Sequence, residues 1–431
     1  MTEPLTGGLS RRAGRRVTGR AAWLPAALAL SGTAWGSTQI TPLLVVYQRT
    51  LGLSTGTIEA VFVVSVLGLI PGLLVAGAMS DARGRRVVAV PAAGLSFLAS
   101  AALIGGAHEL WLLFIGRFLA GISSGAAFGA GTAWVRELSR PPHGDAGDHV
   151  AARRSAVAMT FGYALGPLVA GFLAQWAPRP LMVAYLPHLV LMVTVLLTIW
   201  ASPETVTPDR RVATVTRRVV RPLHNGTFKR VVAPMAPWVF AAPAIAFALL
   251  PSVVGAQHAT DGTALVAAVT ATCALAGVFV QPLARRLDSE VRPGGAAPAG
   301  LVVLVAGLVL AAVTTESGNV WLLFPCAVVF GGAYGLCMVA GLVQVQRLAP
   351  PGGLARFTVV YYALAYVGFA APYALALGAH VADYPTLLSL TAVLALVTAA
   401  AIGWAPREIR EPGPTATAPP GESRPAASPD L

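Results

Sequence analysis

The sequence predicts an all-α membrane protein of twelve transmembrane helices arranged as two six-helix halves. Three observations carry that prediction. Of 431 residues, 56% are hydrophobic, above the ~45–50% of soluble domains. Only 11% are charged, less than half the ~25% of ordinary soluble chains. The apolar residues also fall into twelve runs, each near the ~20 residues that cross a ~30 Å hydrocarbon core as a helix.

Breaks at charged residues, Gly, Pro and Asn leave apolar runs at 22–47, 57–80, 87–106, 110–134, 153–175 and 181–201. Six more follow at 231–257, 263–284, 297–314, 319–345, 357–379 and 384–404. The chain thus divides into an N-terminal arm (1–21), a first half (22–201), a basic linker (202–230), a second half (231–404) and a Pro/Ala-rich tail (405–431). The tail's composition marks it as disordered. The arm carries Arg11, Arg12, Arg15, Arg16 and Arg20, as a signal peptide would. The run behind them, about 26 residues, exceeds a signal peptide's apolar core and reads as an uncleaved first span.

The net charge of +12 would suit a nucleic-acid partner if it clustered on a soluble domain. It is distributed over alternate loops instead. With the N-terminus in the cytoplasm, 27 of the 30 Lys and Arg residues face inward; only Arg49 and Arg179 fall outside, and Arg117 falls within a span. The positive-inside rule therefore places both termini in the cytoplasm, and the expected location is the plasma membrane. Trp23, Trp111, Trp134, Trp176, Trp200, Trp321 and Trp404 fall at predicted span ends, the depth that indole rings prefer. Trp35 and Trp238 do not.

The two halves are related by duplication. Trp111-Leu-Leu-Phe114, Gly121 and Gly125 recur 210 residues later as Trp321-Leu-Leu-Phe324, Gly331 and Gly335. Gly77, Arg85 and Arg86 recur 200 residues later as Gly277, Arg285 and Arg286, with Gln281 and Ala284 in place of Asp81 and Gly84. Parallel repeats of this kind are a feature of transporters that handle substrate at the midplane between two halves.

Three motifs have mechanical content. Gly77-Ala-Met-Ser-Asp81-Ala-Arg83-Gly84-Arg85-Arg86 follows span 2. Gly84 permits a turn at positive φ, and Asp81 can accept from a helix N-terminus or an arginine. A plain topology anchor would explain the arginines but would require neither Asp81 nor Gly84. Span 4 carries Gly116-Arg117, Gly121 and Gly125. An arginine in hydrocarbon costs at least ~2.5 kcal/mol on insertion scales, so Arg117 should face protein or water, or snorkel to the nearby outer surface. Span 5 carries Gly162-Tyr-Ala-Leu-Gly166-Pro167-Leu-Val-Ala-Gly171, a small-residue face for close helix approach with a proline bend.

These motifs resemble those of the major facilitator superfamily over roughly residues 20–405, and the fold implied is the major facilitator fold. In that family the first motif (Gly77, Asp81, Arg83, Gly84, Arg85, Arg86) acts as a conformational latch. The fourth-span motif suggests a role for Arg117 in proton coupling. The fifth-span motif (Gly162, Gly166, Pro167, Gly171) is associated with antiporters and exporters, although Phe172 stands where another glycine is common.

Substrate-cavity candidates are Ser31, Trp35 and Gln39, on one face of span 1 together with Pro42, Trp238 and Phe240 among the prolines of span 7, and Tyr334 in span 10. Hydrogen bonding between helices is the other use for the span 1 stripe. Tyr362, Tyr366, Phe369 and Tyr373 share a face of span 11 and read as aromatic packing. Related drug exporters often carry a carboxylate in span 1, yet none lies between Arg20 and Arg49. Glu59, His188 and Asp383 are the remaining candidates for proton coupling beside Arg117.

Cys273, Cys326 and Cys337 lack disulfide or metal-ligand spacing, the 18 acidic residues are scattered, and no His pair has ligand spacing. The sequence therefore implies no catalytic residue, metal or bound cofactor, only a proton gradient. The reading is a secondary active transporter, proton-coupled, exporting drug-like or secondary-metabolite molecules. An importer or facilitator of a sugar or other small metabolite is the alternative. The partners expected are a small-molecule substrate and the lipid bilayer, not nucleic acid, and the chain is expected to act as a monomer.

Overall fold

The computed structural model describes residues 21–206, 222, 225–254, 262–288, 295–349 and 354–404. The arm before residue 21, most of the linker and the tail from 405 lie outside the described residues. Among the described residues the chain is helical throughout, without a strand.

Eleven helices among them are long and apolar enough to cross a membrane. They are span 2 (Thr55–Arg83), span 3 (Arg85–Gly105), span 4 (Leu110–Ser139), span 5 (Arg153–Trp176) and span 6 (Pro180–Ala201), then span 7 (Phe228–Val253), span 8 (Gly262–Leu287), span 9 (Ala296–Ser317), span 10 (Val320–Leu348), span 11 (Phe357–Gly378) and span 12 (Tyr384–Gly403). Span 1 completes the twelve-helix fold but is not one helix. It consists of α1 (Leu24–Thr38) and α2 (Leu43–Leu51), where the apolar run 22–47 predicts no interruption. Pro42 cannot donate to the carbonyl of Thr38. Thr41 N donates there instead at 2.9 Å, Leu43 N donates to Ile40 O at 2.8 Å, and the chain turns.

Glycine sets the packing distance within each half. A Cβ on Gly121 would overlap the carbonyl oxygen of Ser65, and one on Gly125 that of Leu69, so span 4 lies backbone against backbone on span 2. Gly331 and Gly335 stand in the same relation to Cys273 O and Gly277 O of span 8. The duplicated glycines thus do the same job twice.

The halves meet through span 5 on span 8, where Gly171 faces Thr263 and Ala267, and through Phe62 of span 2, which lies edge-on to Phe247 of span 7 and Phe369 of span 11. Span 7 holds Pro237, Pro243 and Pro251 without breaking, because π-helical turns at Phe228–Val232 and Ile245–Leu249 absorb the distortion. Trp111, Trp176, Trp200, Trp321 and Trp404 are exposed at span ends. Trp134 differs from its expected interfacial place: it is wholly buried, and its indole N–H donates to Pro203 O at 2.9 Å.

Candidate functional site

The loop after span 2 forms a charged knot at the arginine-rich end. Gly84 has φ +114°, and a Cβ there would also press on Glu204; glycine is required on both counts. The turn aims the first amides of span 3 at Glu204, whose Oε1 accepts from Arg85 N at 2.8 Å and Oε2 from Arg86 N at 2.9 Å. A carboxylate at a helix N-terminus meets unpaired amides and the positive end of the helix dipole. The Arg85 guanidinium forks onto Glu137 of span 4, with Nη2 to Oε1 at 2.7 Å and Nε to Oε2 at 3.1 Å. It also donates to Asp81 and to Ser80 Oγ. Arg86 donates to Ser202 O and lies over the Trp200 ring, while Arg83 points away toward Met79. The Asp81 side chain is 57% exposed, and a Cβ on Gly77 would meet nothing within 4 Å. Glu137, Glu204 and the Ser202–Val206 segment are the parts the sequence reading missed; an acid beside basic loops is the only signal they leave.

In the second half the position of Glu137 is taken by a base, which pairs with a different acid. Arg347, 210 residues after Glu137, donates to Asp288 Oδ1 at 3.2 Å and to Asp288 O at 3.1 Å.

Arg117 is buried in protein rather than snorkelling. Its Nη1 donates to Ser37 O at 2.9 Å, Nη2 to Phe62 O at 3.0 Å and Ser65 Oγ at 2.7 Å, and Nε to Val61 O at 3.4 Å. The Phe62 ring lies 5.5 Å from the guanidinium carbon. The arginine therefore ties span 4 to span 2 and to the break in span 1 through backbone oxygens.

On span 5, Gly162 and Gly166 face span 1: a Cβ on Gly162 would overlap Ser31 O, and one on Gly166 would come within 2.9 Å of Trp35 O. Pro167 leaves the Tyr163 carbonyl without its usual amide; Thr38 Oγ1 lies 3.4 Å from it, with its one hydrogen closer to Ala34 O at 3.2 Å. Gly171, further along, touches the other half. Phe172 is exposed and packs on Trp176.

The polar stripe of span 1 is spent within the span and on neighbouring helices. Ser31 Oγ donates to Ala158 O at 2.7 Å. Trp35 Nε1 donates to Gln39 Oε1 at 3.1 Å, Gln39 Nε2 to Ser100 Oγ at 2.8 Å, and Ser100 Oγ lies 2.8 Å from His188 Nδ1. His188 Nε2 faces Gly32 O at 3.0 Å, an acceptor only. Nε2 therefore carries a hydrogen, and both ring nitrogens have partners.

Glu59 lies on span 2 at the contact between halves, with no exposure to solvent. Its Oε2 has no hydrogen-bond partner. Its Oε1 is 3.5 Å from Ser252 Oγ of span 7, whose hydrogen is better placed on Leu249 O at 2.8 Å. Asp383 is separate from all of this: it caps span 12, accepting from Thr386 N at 3.2 Å. Hydrogen bonds from Thr386 hold this exposed carboxyl below the ordinary aspartate range.

Phe240 and Tyr334 belong to a ring cluster that crosses the midplane. Phe240 stacks on Tyr366 at 4.5 Å and on Phe369 at 4.9 Å, and lies 5.7 Å from Tyr334. Phe128 of span 4 lies 6.2 Å from Tyr366 with the rings 9° from parallel. Trp238 is half-buried on another face of span 7. Among the described residues no cluster of His, Cys, Asp or Glu is placed to hold a metal.

Solved structures share this architecture. The nucleoside transporter NupG superposes with a TM-score of 0.68 at 13% identity, covering 89% of this chain and 98% of its own. A POT family transporter in complex with 5-aminolevulinic acid gives 0.73 at 12%, covering 91% and 96%. A bacterial homolog of the human lysosomal transporter Spinster, inward-facing and occupied, gives 0.65 at 13%, covering 91% and 98%. No curated protein matches the sequence. The family model of the Major Facilitator Superfamily matches residues 26–372, and the chain belongs to that superfamily of membrane transporters.

Proposed function

We propose that this transporter couples proton entry to the export of lipophilic drug-like or secondary-metabolite molecules across the plasma membrane by alternating access. The observation that carries the coupling is Glu59. An ionised carboxylate buried without a cation or a full set of donors costs several kcal/mol, so the closed contact between spans 2 and 7 favours the protonated acid. Separating the halves there opens Glu59 to the outer aqueous phase, where the carboxylate takes up its proton; closing the contact carries that proton inward, and entry of substrate from the cytoplasm is the step that discharges it. Each cycle of that contact therefore binds and releases a proton.

Sidedness follows from the arginine distribution. With the arginine end inside, the Phe62 and Gly171 contacts close the outer face, and the exposed Asp81 and open Gly77 belong to a released inner latch. Export is supported by the fifth-span motif, whose Gly162, Gly166 and Pro167 hold span 5 on span 1 while Gly171 meets the moving half. The test uses everted vesicles, cytoplasmic face outward, loaded with acid and offered ethidium and a hydroxyanthraquinone. Acid-dependent accumulation with alkalinisation of the lumen supports the reading. Equal fluxes with and without the gradient identify a facilitator, and accumulation only under the opposite gradient identifies an importer.

A further inference from the structure

We infer that the substrate site is an aromatic slot shared by the two halves, selective for uncharged, planar ring systems that carry hydroxyl or carbonyl groups. The inference rests on the alternating-access reading above and names the substrate class of its midplane site.

The slot's walls are Phe128 on the first half and Tyr366 backed by Phe240 on the second. Tyr366 lies 9° from parallel with Phe128 and 6° from parallel with Phe240, so the three rings present nearly parallel faces. Parallel faces favour a flat π surface over a puckered or branched one. A ring held at ~3.5 Å from each wall requires walls about 7 Å apart; here Phe128 and Tyr366, with centroids 6.2 Å apart, are buried against each other, so a planar substrate enters as the halves move apart. Because the walls belong to different halves, the inserted ring binds one arrangement of the halves better than the other, which is what a transported substrate must do.

The edge chemistry narrows the class further. Tyr163 reaches the slot from span 5, with its ring 5.8 Å from Phe128, and its hydroxyl faces that of Tyr366. Tyr334 and Tyr362 bring further phenols to the same cluster. A phenol both donates and accepts, which matches hydroxyl and carbonyl edges. None of these six side chains is charged. A lipophilic cation would gain ring contacts but no counter-ion for its desolvation, and an anion would meet the negative faces of the rings.

The test measures equilibrium binding to the full-length protein in lipid nanodiscs. Dihydroxyanthraquinone is compared with its perhydrogenated, non-planar analogue, with tetraphenylphosphonium and with anthraquinone sulfonate. Dihydroxyanthraquinone should bind saturably and at least about tenfold more tightly than the other three. Tyr366→Ala and Phe128→Leu should each weaken it about tenfold, and Tyr366→Phe, which keeps the ring, only a few-fold. Unfolding temperatures screen the variants; if Tyr366→Ala fails to fold, Phe128→Leu and the ligand comparison on the native protein decide. Equal binding of the non-planar analogue, tighter binding of the phosphonium, or indifference to ring removal would overturn the slot. The two readings fail separately. Slot-dependent binding without proton-driven flux removes the exporter and leaves the slot, whereas proton-driven flux of compounds indifferent to Phe128 and Tyr366 removes the slot and leaves the exporter.

Discussion

Arg117 Nη1 donates at 2.9 Å to the carbonyl oxygen of Ser37, an oxygen stranded by the break in span 1. In a continued helix Thr41 N would serve Ser37; here it bonds Thr38 O instead. The arginine of span 4 thus completes the backbone bonding of a bent helix, and the cost of burying its charge is offset by oxygens of four residues. Arg117→Ala should lower stability by on the order of 2 kcal/mol, read as a lower unfolding temperature in detergent. Arg117→Lys should recover little of it, because an ammonium group cannot fork between spans 1 and 2. Full recovery by lysine would show that charge alone matters.

Gly162 leaves no room between span 5 and Ser31 O. Gly162→Ala should push span 5 off span 1 and slow exchange between the two open states more than it weakens ligand binding. Counterflow rate and equilibrium affinity, measured on the same preparation, separate the two. A loss confined to affinity would contradict this assignment.

At the arginine end the two acids differ in their surroundings. Asp81 is exposed and shares Arg85 with Glu137, whereas Glu204 accepts two amides of span 3. Asp81→Asn should leave the unfolding temperature nearly unchanged and slow transport, since its end of the pair with Arg85 is solvent-exposed and its charge can exchange partners in the opposite state. Glu204→Ala should lower the unfolding temperature, because it strips the start of span 3. The reverse ranking would show that Asp81 is the structural acid.

The carboxyl of Asp383 has a folded value below its unfolded one, so its stabilising effect is present above the unfolded value and is lost as pH falls through the folded one. That window lies below about pH 4, where free aspartate titrates. Asp383→Asn should therefore leave the pH profile of transport between about pH 5.5 and 8 superimposable on the native one. A displaced profile would make Asp383 a participant in coupling.

Much of this was legible in the sequence, and what was not has physical causes. Span positions follow from composition because hydrocarbon admits only long apolar helices with internally bonded backbones. The Gly121/Gly125 and Gly331/Gly335 pairs could be read as a duplication before their contacts were known. The break at Gln39–Pro42 was hidden, because a proline inside an apolar run is compatible with a bend or a stop, and the outcome depends on Arg117 eighty residues away. Gln39 reads in the sequence as lining the cavity or hydrogen bonding between helices, and His188 as a candidate for proton coupling; they are linked through Ser100, a residue with no sequence signal of its own. Glu204 was invisible because capping by an acid 119 residues distant is a tertiary fact. Phe128 and Tyr163 were passed over because aromatic residues in membrane helices are common, and only their alignment with Tyr366 distinguishes them.

The central claim is that the proton is carried at the contact between halves by Glu59. The most direct measurement is lumenal pH and substrate accumulation in acid-loaded everted vesicles bearing either the native protein or Glu59→Gln. The amide is a permanent mimic of the protonated acid, so Glu59→Gln should still exchange substrate in counterflow while its accumulation falls to the level seen without a gradient and lumenal alkalinisation disappears. Accumulation and alkalinisation at native levels in Glu59→Gln would contradict the account.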